Sequence, residues 1–129
     1  MPRAANLVLT AVLLVAVALI AFSDSFSPPT FMPAQDKAEH VLAFSMLALA
    51  LMTGANAAGV ALAASALTAF AFAIEWAQPL WTATREGDLA DALASFAGIG
   101  VGALLAGLLN LLVLAVFRKD AGLRGPQAA

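Results

Sequence analysis

The sequence predicts an all-α protein, a four-helix antiparallel transmembrane bundle, on three observations. Hydrophobic residues make up 63% of the 129 positions and charged residues 11%, against roughly 45–50% and about 25% in an ordinary soluble domain. A soluble chain of this length has too little interior to hide that excess. The apolar residues fall into four stretches, each near the ~20 residues that cross a bilayer core. Most of the remaining charge gathers in two short knots at the edges of those stretches. One is Asp36-Lys37-Ala38-Glu39-His40; the other runs from Glu75 through Arg85-Glu86-Gly87-Asp88 to Asp91.

Composition also excludes several classes. A net charge of −2 without a basic patch argues against a nucleic-acid partner. The chain has no cysteine, so disulfides and thiolate chemistry are excluded. With a single histidine besides, a conventional zinc site is not expected. No metal and no cofactor are called for.

The first span covers about 4–22. Leu7 to Phe22 is apolar except for Thr10, and it reaches spanning length when extended back to Ala4. A cleaved signal peptide is the rival, given Arg3, the apolar core and the Ala21-Phe22-Ser23 sequence. The uncleaved span is the expectation. Pro28, Pro29 and Pro33 make the following segment irregular, because proline cannot continue a helix.

The second span, 36–53, opens with Asp36 as its cap and Glu39 at the third helical position. A short uncharged turn, Gly54 to Gly59, then implies an antiparallel return. The third span, 58–78, meets no charge before Glu75. Pro79 should loosen or stop it, since the Glu75 carbonyl loses its amide partner. The fourth, 88–117, opens with Asp88 at the cap and Asp91 three residues on, and closes at Arg118-Lys119. Residues 1–119 thus form one domain, and 120–129 are expected to be a disordered tail.

Arg3, Arg118, Lys119 and Arg124 lie on the side of the termini. The opposite side holds Lys37, Arg85 and every acid except Asp120. The positive-inside rule therefore places both termini in the cytoplasm and both polar knots on the outer face. Trp76 and Trp81 are the interfacial anchors there.

Residues three or four apart share a helix face. Lys37 and His40, Glu75 and Gln78, and Asp91 with Ser95 can therefore converge where their helices meet. Gly98 and Gly102 on the last helix permit close helix contact. His40 and Glu75 are the two candidates for proton transfer, hence for catalysis. Lys37 and Arg85 are the candidate counter-ions for Glu75 and the candidate holders of an anionic group. Plainer roles stand beside these. Asp36, Glu39, Asp88 and Asp91 can be caps matching the helix dipole. Lys37 can reach to the headgroups, and Glu75, Gln78 and Arg85 can form a structural lock.

The ordered set Asp36-Lys37-x-x-His40, Glu75-x-x-Gln78, Arg85, Asp91 and Gly98 with Gly102 resembles the VanZ-like family of small bacterial membrane proteins. That family is named for a member linked to reduced sensitivity to the glycopeptide teicoplanin. The resemblance covers roughly Asp36 to Leu105 and departs at Ser95, where the family usually has Asn. It implies a four-span domain in the bacterial inner membrane, with the first span retained. It supplies no reaction. Together with the residues, it leads to an outer-face pocket that recognises or modifies an anionic lipid or lipid-linked envelope precursor. Lys37, Gln78, Arg85, Asp91 and Ser95 would be the binding residues. A non-catalytic membrane adaptor, its polar cluster merely fixing helix packing, is the alternative. A transporter is disfavoured, because the other half offers only Thr10, Asn56, Asn110 and small residues as a path. Neither the substrate nor the oligomeric state is specified.

Overall fold

A computed structural model describes residues 3–23, 31, 34–82 and 87–123. The described residues form four helices and no strands: α1 (Arg3–Ala21), α2 (Gln35–Met52), α3 (Ala57–Trp81) and α4 (Leu89–Leu123). Three contain segments long and apolar enough to cross a membrane, over Ala4–Ala21, Ala57–Trp81 and Leu89–Arg118. The chain is therefore built as a multi-pass membrane protein.

The exception, α2, carries Asp36, Lys37 and Glu39 in its opening turns. It is also the most enclosed helix, with Phe44, Leu47, Ala48 and Met52 all buried. One stripe of α2 stays exposed and apolar, with Leu42 and Met46, while its charged residues gather at the end of the helix, where burial is least demanding. The core around it comes from Leu67, Ala71 and Ile74 of α3 and Ile99 and Ala106 of α4.

Cross-helix bonds fix the directions. Asn6 of α1 donates to the Thr53 carbonyl just after α2, and Gln78 near the end of α3 donates to Ala21 at the end of α1, both at 3.3 Å. Lys37 meets Asp91 at 3.0 Å near the starts of α2 and α4, and the Gly54 amide reaches Asn110 at 2.8 Å near their far ends. Thus α1 and α3 run one way, α2 and α4 the other.

The tightest seam is α2 on α4. A side chain at Gly98 would collide with the Val41 carbonyl, and one at Gly102 with the Ser45 carbonyl and the Ala48 methyl. Two glycines four apart let the backbones touch. Ser45 Oγ seals the seam, 2.6 Å from Val41 O and 3.0 Å from Gly98 O.

Three boundaries differ from expectation. Residue Ala34, in a left-handed conformation (φ 59°), occupies the start of α2 and makes no side-chain cap bond. Asp36 therefore sits inside the first turn and is not the cap expected of it. Pro79 does not stop α3, which runs on to Trp81. The loss of one amide is tolerated because only the last turn lies beyond it. Finally, α4 continues to Leu123, so Asp120 to Leu123, expected in a disordered tail, are helical; the rest of that expected tail, 124–129, lies outside the described residues.

Candidate functional site

The polar knots meet at one end of the helices. The first turn of α2 presents Lys37, whose Nζ lies 3.0 Å from each of Asp36 Oδ2, Asp88 Oδ2 and Asp91 Oδ1. An ammonium has three protons to donate, and all three are engaged. Asp88 does two tasks. Its Oδ1 accepts from the Ala90 amide at 2.8 Å, capping α4, while Oδ2 holds Lys37. The Ala90 amide first, then Lys37, keep the Asp88 carboxyl below its ordinary pKa.

One turn further along α2 stands His40. Its Nδ1 lies 3.0 Å from Ser95 Oγ, a hydroxyl only 1% exposed. Its Nε2 faces two carboxylates, Glu75 Oε1 at 3.8 Å and Asp91 Oδ2 at 3.9 Å. Both separations are too long for hydrogen bonds.

Glu75 comes from α3, with a side chain only 8% exposed. Its Oε2 accepts the Asp88 amide at 3.0 Å. Its Oε1 is buried with no hydrogen-bond partner among the described residues. An unsatisfied buried polar atom is costly, commonly about 1–3 kcal/mol and more when charged. The local backbone explains how this position is held. Pro79 leaves the Glu75 carbonyl without a helical amide, and Gly87 packs directly against that carbonyl, where any side chain would overlap it. The chain leading into α4 thereby rests on α3 beside Glu75.

The sequence-predicted residues Lys37, His40, Glu75, Asp91 and Ser95 are thus brought together, joined by Asp36 and Asp88 through Lys37. Gln78 is not part of the cluster: it is buried and donates to the Ala21 carbonyl, tying α3 to α1. Glu39 accepts from Gln35 Nε2 at 2.9 Å on the exposed side of α2. Arg85 lies outside the described residues. Gly87 was missed by sequence reasoning, although a glycine one residue ahead of a capping aspartate is a signal of close backbone approach.

Among the described residues the charge around the cluster is acidic, with Asp36, Glu75, Asp88 and Asp91 against Lys37 and His40. Two capacities follow chemically. A ring nitrogen and two carboxylates facing one another can pass a proton to a bound group, or can hold a cation among them. No family model, no curated protein and no solved structure matches this chain.

Proposed function

We propose that the protein is a VanZ-like, four-span antiparallel bundle of the bacterial inner membrane. Its charged end binds the headgroup of an anionic lipid or lipid-linked envelope precursor. In this topology α2 is the second crossing, packed largely against its neighbours, and both termini are cytoplasmic. The single observation that supports a binding role is Glu75 Oε1, a buried carboxylate oxygen left without a partner where α2, α3 and α4 meet; as an acceptor it would take a hydroxyl or ammonium donor of that headgroup, not its phosphate. Exposed Trp76 and Trp81 beside it suit headgroup depth. Arg85 would complete the contact with phosphate, since a guanidinium grips it with two parallel bonds. His40 and Glu75 would carry any proton transfer.

A specific observation favours the adaptor alternative. Lys37 spends all its donors on the protein's own acids, which is how a helix lock is built.

Native mass spectrometry of the protein purified in mild detergent separates the two. A retained anionic lipid, one per chain and lost on Arg85→Gln in a variant that still folds, is the expected result. Equal retention of zwitterionic and anionic lipids, unchanged in the variant, would leave only the adaptor.

A further inference from the structure

We infer that His40 Nε2, Glu75 Oε1 and Asp91 Oδ2 form a binding site for one divalent transition-metal ion. One ligand atom from each residue lies within 4.8 Å of the other two. Proximity alone would be weak grounds, because acidic clusters are common. What distinguishes this one is the way each side chain divides its atoms. His40 gives Nδ1 to Ser95 and turns Nε2 inward. Asp91 gives Oδ1 to Lys37 and turns Oδ2 inward. Glu75 gives Oε2 to the Asp88 amide and turns Oε1 inward, buried and unpartnered. Each of the three is fixed by an outer contact while its other polar atom faces the common point. Outer contacts of that kind orient metal ligands.

The donor set selects the ion. An imidazole nitrogen with two carboxylate oxygens and no thiolate suits zinc, manganese or iron(II), whereas calcium and magnesium take oxygen alone. Three protein ligands leave positions for water or a substrate oxygen. Drawing the ligand atoms in to the ~2.0–2.2 Å of such bonds needs small side-chain adjustments at the junction of three helices. Ser95 is then a positioning residue: with Nε2 on the metal, Nδ1–H donates to its hydroxyl and fixes the ring. The inference is independent of the lipid proposal. The site would hold its ion whichever headgroup, or none, lies above it.

The test is zinc titration of the chelator-stripped, full-length protein in detergent, followed by calorimetry, with cobalt(II) absorption as a second readout. One equivalent per chain is expected, with cobalt bands in the visible and no competition from calcium. Glu75→Gln, Asp91→Asn and His40→Gln should each abolish stoichiometric binding, so that failure of one variant to fold leaves two. Ser95→Ala should weaken binding by about 10–100-fold. No saturable zinc binding by the folded parent, or equal binding by folded His40→Gln and Asp91→Asn variants, would overturn the site.

Discussion

The two ends of the helical assembly solve the same problem with different chemistry. At one end, neutral amides do the joining. Asn110 Oδ1 accepts the Gly54 amide at 2.8 Å and its Nδ2 donates to the Met52 carbonyl at 3.4 Å, while Asn6 donates to the Thr53 carbonyl at 3.3 Å. Those bonds satisfy backbone groups left over where α2 stops. At the other end, charges do the joining, and among the described residues one is left over: Lys37 is saturated, yet Glu75 Oε1 has no hydrogen-bond partner. A structural fastening satisfies everything it buries. Among the described residues the charged end does not, and that surplus is the ground for proposing a ligand there.

The difference can be broken or sharpened in four ways. The largest effect is expected from topology, which is all-or-none. Because the chain lacks cysteine, Ala34→Cys at the charged end and Ala57→Cys at the amide end are clean probes at exposed positions. In intact spheroplasts an impermeant thiol reagent should label the first and spare the second. Labelling of Ala57→Cys alone would put the charged end in the cytoplasm.

Next comes the seam that both ends share. Gly98→Leu should force α2 and α4 apart and remove most of the folded yield in detergent, because the Val41 backbone occupies the space. Gly107→Leu, with nothing within 4 Å of its added carbon, should be tolerated. Size-exclusion profiles of the two variants check this directly.

At the amide end, Asn110→Ala removes both bonds, but the Met52 carbonyl keeps the Ala55 amide at 3.1 Å and Gly54 is exposed. It should cost about 0.5–1.5 kcal/mol, read as a lowered thermal midpoint. Zinc binding at the charged end should be unchanged, the two sites being separated along α4.

Much of this fold is written in the sequence because the membrane makes the demand simple. A helix facing lipid must be apolar over a fixed length, so α1, α3 and α4 show in their composition. The neighbourhoods of the buried helix are harder. Asp36 looks like a cap because aspartate before an apolar run commonly is one, but the cap is Ala34, two residues earlier, in a left-handed conformation. Gln78 shares a face with Glu75, and that spacing suggested a common site. Only the packing of α1 beside α3 reveals that Ala21 claims its amide. A zinc site was not expected, since one histidine and no cysteine fit none of the usual structural inventories. The inward-facing atoms of His40, Glu75 and Asp91 depend on rotamers set by Ser95, Lys37 and the Asp88 amide, and no linear spacing encodes those.

The smallest expected change in stability belongs to the most telling variant, Glu75→Gln. Glutamine keeps an oxygen for the Asp88 amide and removes the surplus buried charge. The direct test is the thermal midpoint of parent and variant in detergent with chelator, then with zinc. If the charged end is a binding site, the variant without metal should melt at the parent's temperature or a few degrees above it, and zinc should raise the parent alone. A fall as large as that of Asn110→Ala, with no response of the parent to zinc, would make the charged end a fastening like the other.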